Sequence, residues 1–366
     1  MKAVVLPEVN GQMAVQEIAN PQPKRGEVKI AVSACGVCHT DLHVIKGEVI
    51  FPTPAVLGHE ISGTVVEVGE GVSNVSVGDK VVSSFIMPCG ECRHCVRGWE
   101  DLCENFFKYN RLSGQLYDGS TRLFDSSGEP IAMYSMGGLA QYSIVPATDV
   151  FPLPDAVDEH KAAILGCSVF TSYGAVKNTA ELRFGETVAV VAVGGIGLNI
   201  VQVAAAFGAK QIIAVDINDE KLALAKKLGA THTINSLNEN ASEKVRELTA
   251  GRGVDVAFEA LGSQATVETA IQLVDDGGRV VLVGIAPAGV SANLPIAHIV
   301  RRKIKVLGSY GARARTDMPG VLDLVASGKL DLDSLVTDEF DLEHAADAYR
   351  LLNERKIIGR AIVKVG

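Results

Sequence analysis

Nowhere in the 366 residues is there a block of lysines and arginines, and acidic side chains outnumber basic ones 43 to 34, for a formal net charge of -9. The chain thus lacks the electrostatic footprint that nucleic acid or anionic lipid requires, so small molecules are the expected partners, with no nucleic acid and no membrane. Internal repeats and low-complexity tracts are missing too. A composition of 47% hydrophobic and 21% charged residues with 37 glycines is that of a turn-rich globular protein and excludes disorder. At this length single cores stop growing, and two domains are expected. The opening stretch MKAVVLPEVNGQM has one basic residue and an apolar run too short for the core of a signal peptide before Pro7 and Glu8 interrupt it, which reads as a cytoplasmic protein.

One segment argues against that reading. Residues 187–209, TVAVVAVGGIGLNIVQVAAAFGA, carry no charge and could cross a bilayer core of ~30 Å. Their first half is Val-rich like a buried strand, Gly194 and Gly195 break it, and only the second half has helix-forming composition. Strand, turn, helix fits better than a membrane span.

Seven cysteines are present, and in a reducing compartment disulfides are disfavoured. Cys89, Cys92, Cys95 and Cys103 read C-x-x-C-x-x-C-x7-C, with Gly90 and Gly98 supplying sharp turns. Four thiolates close a tetrahedral shell and leave no position for water or substrate, so a zinc there stabilises the lobe rather than doing chemistry. The alternatives are four packed or reactive thiols, or a redox pair. Glu91, Arg93, His94, Arg97 and Glu100 between the cysteines argue against burial of all four without a metal. His94 is expected to be solvated and not a ligand.

The other donors are spread over three motifs. CGVCHTDLH supplies Cys38, His39, Thr40, Asp41 and His43; GHEISGTVVEVGEGV supplies His59 and Glu60; GCSVFTSYGA supplies Cys167. Taken singly, a His beside Glu is an ordinary pair and a Cys among small residues is ordinary packing. Taken together, two thiolates and one imidazole make a three-ligand zinc site whose fourth position is open.

With these motifs the sequence resembles, over essentially its whole length, the zinc-dependent alcohol dehydrogenases of the medium-chain dehydrogenase/reductase superfamily. The resemblance implies two zinc ions per chain: a catalytic one on Cys38, His59 and Cys167, with Glu60 as an alternate ligand, and a structural one on Cys89, Cys92, Cys95 and Cys103. It implies that Asp41 orients His59, a carboxylate on the distal ring N–H making the imidazole a better donor. Cys35 is left over as a small buried residue.

From 180 to 310, Val-rich runs such as TVAVVAV, QIIAVD, VDVAFEA, RVVLVG and KIKVLGSY alternate with helical stretches such as DEKLALAKKLGA. Such alternation predicts a parallel, doubly wound α/β sheet. AVGGIG at 192–197 gives A-x-G-x-x-G after a strand, where the backbone of Gly194, Gly195, Ile196 and Gly197 can receive a pyrophosphate at a helix N-terminus. The bland alternative is a plain turn between strand and helix. Asp216 ends the next strand, where its carboxylate can accept bonds from a ribose and repel a 2'-phosphate, so NAD is expected over NADP. Ala192 departs from the usual first glycine and narrows the turn.

Further roles follow from the resemblance alone. Thr40 and His43 would relay the proton of the alcohol, His39 would face the pyrophosphate, Thr171 the nicotinamide, Lys221 the adenosine ribose and Arg360 the phosphates, while Phe85 would line the substrate pocket. On the competing reading Thr40 caps a helix and His43 is merely exposed. The implied architecture is a Rossmann dinucleotide-binding domain at 164–309 inserted in a GroES-like, mostly β catalytic domain at 1–163 and 310–366. Residues 104–138 read as a long Gly- and Ser-containing loop, either bordering the substrate entrance or forming a surface hairpin without a role. KIKVLGSY is expected at a sheet edge, pairing across a two-fold axis in a homodimer or homotetramer. The leading function is an NAD-dependent oxidoreductase for primary or aromatic alcohols and aldehydes. A glutathione-dependent formaldehyde dehydrogenase or semialdehyde reductase is the alternative, and a non-catalytic dinucleotide-binding relative the third.

Overall fold

In the computed structural model, which describes residues 1–366, the uncharged run at 187–209 forms the strand Thr187–Val191 and the helix Gly195–Ala206. No helix of the chain is long and apolar enough to cross a membrane. That strand lies inside a six-stranded sheet ordered His232–Asn235, Gln211–Asp216, Thr187–Val191, Val254–Glu259, Val274–Leu282, Lys305–Gly308, with every pairing parallel. The chain builds outward from Thr187–Val191 on one side, then crosses to the other. The carboxyl ends of Thr187–Val191 and Val254–Glu259 therefore flank the switch point at which doubly wound sheets bind ligands. Ala189, Val191, Ile213, Val215, Ile234, Ala257 and Val280 form its buried core. Near-continuous apolar strands are what a sheet covered on both faces demands. Lys305–Gly308 occupies the sheet edge, as expected for KIKVLGSY.

The chain folds as two compact units: residues 168–312 with 327–335, which contain this sheet, and residues 1–167 with 313–326 and 336–366. The second of these holds two further sheets. One runs Ala14–Glu17, Lys2–Leu6, Ala55–Val56, Pro130–Met133, Leu123–Phe124, and the other Phe151–Pro152, Lys80–Ser83, Ile61–Val68, Glu27–Val37, Arg360–Lys364, Val336–Asp341, with Tyr142–Pro146 also paired to Glu27–Val37. Three strand ends meet here. Cys35 pairs with Ile61 on one side and Val363 on the other, and Ala361 pairs with Val37, so Cys38, Glu60 and Arg360 all emerge at the same end of the sheet.

Residues 104–138 do form a hairpin, but one packed into the unit rather than lying on its surface throughout. They wind through a π-helical turn Phe106–Arg111 and the hairpin Leu123–Phe124/Pro130–Met133, which joins the first sheet. Phe106, Asn110, Leu116, Leu123, Ile131, Met133 and Tyr134 are buried. The segment is anchored by buried Arg122, whose Nε donates to Glu27 Oε2 at 2.9 Å. Glycines and serines suggested a loop; the apolar residues between them drive burial instead.

The turn after Thr187–Val191 shows what Ala192 does. Its φ is +70°, a left-handed conformation that costs an L-residue roughly 1–2 kcal/mol. A Cβ on Gly197 would lie 2.1 Å from the Ala192 carbonyl oxygen, so the helix can approach the strand this closely only with glycine there. Ala192→Gly is expected to raise the urea midpoint by the equivalent of up to about 1 kcal/mol, strain relief exceeding the greater chain entropy of glycine. Gly197→Ala is expected to lower it by about 1–3 kcal/mol. A lower midpoint for Ala192→Gly would contradict the strain argument.

Candidate active site and metal centres

Two groups of soft donors are gathered by these turns. In the first, the ligand atoms of Cys38, His59, Glu60 and Cys167 all lie within 4.8 Å of one another, and all four residues are buried. Cys38 precedes the helix His39–Ile45 and His59–Glu60 precede Ile61–Val68. Cys167 follows the 3-10 turn Lys161–Gly166, which is pinned by the Phe85 amide donating to the Gly166 carbonyl at 2.9 Å. Room for the Glu60 carboxylate exists because residue 36 is glycine: a Cβ there would sit 2.3 Å from Glu60 Oε2.

His59 is oriented from behind. Asp41, fully buried, lies 2.9 Å from His59 Nδ1, and its second oxygen accepts a hydrogen bond from Tyr349 Oη at 2.9 Å. Nε2 then faces the two thiols and Glu60, buried and with no hydrogen-bond acceptor of good geometry. A buried, unsatisfied imidazole nitrogen costs free energy unless something takes its lone pair. A divalent cation fits that role, because the donor set is two thiolate sulfurs and one imidazole nitrogen with a carboxylate in reserve.

Charges in the cluster are tightly linked. A hydrogen bond from Cys167 and the nearby His59 hold the Cys38 thiol well below its usual range although burial opposes this, while the Cys38 contact and burial push Cys167 well above it. Burial alone would lower His59, but the Asp41 carboxylate and the Cys38 thiolate hold it up at about 10. Burial lifts Glu60 to about 7 against the pull of Arg360, whose guanidinium it contacts. Protons thus occupy places where a cation would neutralise the same groups, and metal binding there would release them.

Cys89, Cys92, Cys95 and Cys103 form the second group, again with ligand atoms within 4.8 Å. Backbone amides are aimed at the sulfurs: Cys89 N to Cys103 Sγ at 3.3 Å, Cys92 N to Cys89 Sγ at 3.3 Å and Phe106 N to Cys103 Sγ at 3.4 Å. Such bonds favour thiolates. Burial pushes the Cys103 thiol up to about 11, and a bound cation would offset that cost and favour thiolates at all four positions. No disulfide joins any of them. His94 departs from expectation: its side chain is only 19% exposed, beside Glu104, and it stacks on Trp99. An aromatic neighbour, invisible in a charge pattern, shelters it.

The remaining predicted residues fall as follows. Thr40 Oγ1 accepts from Cys38 Sγ at 3.6 Å. It does not cap the helix, since Cys38 is the N-cap and makes no side-chain cap bond. His43 Nδ1 pairs with Glu48 near the surface, its side chain 24% exposed. His39 is exposed at the start of the same helix. Phe85 is buried, its ring centroid 6.1 Å from that of His59. Arg360 is 5% exposed and ion-paired to Glu60.

In the other unit, Gly194 is the N-cap of Gly195–Ala206, which includes Ile196 and Gly197, and a Cβ on Gly194 would meet nothing within 4 Å. Asp216 Oδ2 accepts from the Val193 amide at 2.8 Å, tying the carboxylate to the glycine turn. Thr171 is buried on Ser168–Gly174, and Lys221 lies on Asp219–Lys227.

Several supporting and candidate residues escaped sequence reasoning. Tyr349 is 308 positions from Asp41, and no local pattern joins them. Ser172 Oγ, 3.0 Å from the Ile196 carbonyl, braces the glycine turn. Ile217 and Leu261, 54% and 57% exposed, lie just beyond the carboxyl ends of two strands that flank Thr187–Val191. Large exposed apolar residues directly after strand runs were the available signal for these two.

Tyr349→Phe is expected to lower stability by about 1–3 kcal/mol, since it strips a buried carboxylate oxygen of its donor, and to weaken metal retention through His59. Thermal unfolding and zinc content after dialysis check this; unchanged values for both would mean that the hydroxyl does not support Asp41.

Comparison with known proteins agrees with this architecture. Residues 24–155 match the alcohol dehydrogenase GroES-like domain and residues 195–327 the zinc-binding dehydrogenase domain. The chain is 34% identical to an S-(hydroxymethyl)glutathione dehydrogenase of Paracoccus denitrificans, over 95% of this chain and 98% of the relative. Its fold is similar to that of an alcohol dehydrogenase zinc-binding domain protein from Burkholderia ambifaria (TM-score 0.95, 31% identity, 100% and 98% of the two chains). It is also similar to benzyl alcohol dehydrogenase from Acinetobacter calcoaceticus (TM-score 0.92, 30% identity, 100% and 99%). With a GroES-like domain, a doubly wound dinucleotide domain and two soft-donor clusters, the chain belongs to the zinc-dependent alcohol dehydrogenases of the medium-chain dehydrogenase/reductase family, oxidoreductases whose cofactors are two zinc ions and NAD.

Proposed function

We propose that the protein interconverts primary or aromatic alcohols and their aldehydes, with Cys38, His59 and Cys167 holding the catalytic zinc, Glu60 as an alternate ligand, and Cys89, Cys92, Cys95 and Cys103 holding the structural one. The observation that carries this reading is the buried donor set whose His59 Nε2 is held toward two thiols by Asp41. When bound, zinc supplies a Lewis acid that lowers the pKa of a substrate hydroxyl, and NAD supplies the hydride acceptor.

The chain's own residues do the rest. Asp41 fixes the His59 tautomer, placing the proton on Nδ1 and the lone pair on Nε2. Thr40, beside the cluster, would accept the substrate proton as it passes its own hydroxyl proton on, and His43, half-buried and steadied by Glu48, would take up the relayed proton and release one to water. Phe85 and other apolar walls exclude water from the donor set. Gly194, Gly195, Ile196 and Gly197 turn amides toward the pyrophosphate, and the Ile217 and Leu261 side chains offer apolar faces for the adenine. Asp216 takes the ribose hydroxyls and disfavours a 2'-phosphate, so NAD is preferred to NADP. His39 would meet the phosphates, Lys221 the ribose and Thr171 the nicotinamide, and Arg360 would reach the phosphates only by leaving the buried Glu60 it is paired with. A second copy of the chain would pair along the edge strand Lys305–Gly308.

A second reading is favoured by relatives that are S-(hydroxymethyl)glutathione dehydrogenases, 34–36% identical. Rates with benzyl and primary alcohols against S-hydroxymethylglutathione and succinic semialdehyde separate the readings. Cys38→Ser is expected to reduce turnover at least about a thousandfold with the Cys89–Cys103 zinc retained; full activity would refute the ligand assignment. Because nothing in the protein meets a Cβ at residue 194, Gly194→Ala is expected to leave the unfolding midpoint unchanged while weakening NAD at least about tenfold. Unchanged NAD affinity would move the pyrophosphate elsewhere.

A further inference from the structure

Phe85 begins a buried strap. Residues 85–88 are all buried, belong to no helix or strand, and run from the ring beside His59 to Cys89 of the four-cysteine lobe. Backbone of this kind has no ladder to satisfy its carbonyls, and a buried carbonyl without a donor is costly. Here four in succession accept from side-chain hydroxyls: Phe85 from Ser135 Oγ at 2.8 Å, Ile86 from Ser84 Oγ at 3.0 Å, Met87 from Tyr117 Oη, and Pro88 from Thr148 Oγ1 at 2.6 Å.

Of the four donors only Ser135 has a positive φ, +54°, in the left-handed region that L-residues avoid. The residue is fully buried and held from both sides. Asn110 Nδ2 donates to its carbonyl at 2.7 Å, and the amide of Tyr134 before it bonds the Val56 carbonyl at 3.0 Å. Strain of this kind persists only where the surroundings over-determine it, and it clusters at functional sites. What it delivers here is the bond to Phe85. The Phe85 amide is itself bonded to the Gly166 carbonyl at 2.9 Å, directly before Cys167. Both peptide groups flanking the Phe85 Cα are therefore tethered, which fixes its two soft dihedrals and the direction in which the side chain leaves. The ring sits 6.1 Å from that of His59.

Resting on the dehydrogenase reading with Phe85 as a pocket wall, and deepening it, we propose that Ser135 is a positioning residue for substrate selectivity. Its hydroxyl, presented by a strained backbone, locks Phe85 against the donor cluster and limits the width of the alcohol or aldehyde that reaches it. Single-ring and unbranched primary alcohols are admitted and fused-ring ones disfavoured. Ser135 touches no reacting atom.

The test compares kcat/KM for benzyl alcohol and 1-naphthalenemethanol in the wild type, Ser135→Gly, Ser135→Ala, Phe85→Ala and the double variant of Phe85→Ala with Ser135→Gly. The ratio of the two substrates does not depend on the fraction of active enzyme, which is all that a merely structural role would change. The wild type is expected to favour benzyl alcohol, and Ser135→Gly to cut that preference about fivefold, the worth of one hydrogen bond. The unfolding midpoint of Ser135→Gly moves by less than about 2 °C, because glycine relieves the strain as the bond is lost. Ser135→Ala cuts the preference equally but lowers the midpoint by about 3 °C or more, since the strain remains. In Phe85→Ala the preference falls further, and adding Ser135→Gly then changes it less than about twofold, because the residue through which Ser135 acts is gone. Zinc per chain stays at the wild-type value throughout. The inference is overturned if the wild type shows no preference, or if Ser135→Gly and Ser135→Ala keep the wild-type preference while Phe85→Ala shifts it; the dehydrogenase reading then stands. A Ser135→Gly effect that is undiminished without Phe85, or that comes only with loss of zinc, overturns it as well. Should Ser135→Gly fold poorly, Ser135→Ala decides by the same ratio. No turnover of either alcohol or its aldehyde would fail both readings.

Discussion

Two thiols, an imidazole and a carboxyl group cannot share a few ångströms of dry interior at no cost. Each either keeps a proton it would otherwise release or pairs with a charge that must itself be desolvated. Around Cys38, His59, Glu60 and Cys167 the protein has arranged both remedies: Arg360 beside Glu60, and Asp41 with Tyr349 behind His59. What remains is a buried His59 Nε2 without a hydrogen-bond partner beside two thiols, one held low and the other pushed up, a donor set that suits a soft divalent cation. Gly36, the register of Arg360–Lys364 on Glu27–Val37 and the turn before Cys167 serve that arrangement.

The four-cysteine lobe meets the same difficulty differently. Its sulfurs receive backbone amides and are partly open to solvent, and its ligands come from one continuous stretch. It is joined to the rest of its unit by Glu100, buried and paired with Arg315 on the helix Ala314–Ala326. One cluster is assembled from distant strands and can respond to what occupies it; the other is a local clamp.

Much of this was legible in the sequence because metal ligands and phosphate turns are chemically demanding at short range. Cys-x-x-Cys spacing, a glycine turn after a Val-rich strand and an acid at the next strand's end each need only local geometry to make sense. The supports were not legible. Tyr349 reaches Asp41, and Arg122 reaches Glu27, through contacts that exist only once sheets have formed. Residues 104–138 misled for a related reason: their glycines and serines are loop-like in composition, while Leu116, Leu123 and Ile131 between them fill a core. His94 looked solvated among charges because stacking on Trp99 depends on a turn that only the folded lobe creates.

The pairing of Arg360–Lys364 with Glu27–Val37 spans nearly the full chain, and this has a consequence for biosynthesis. The unit holding the donor cluster cannot close until residues 360–364 have been made, whereas every strand of the parallel sheet lies between 187 and 308. During translation the inserted sheet is able to consolidate while its host still waits, with Glu27–Val37 missing one neighbour. That open flank is a template for stray pairing until Arg360–Lys364 covers it.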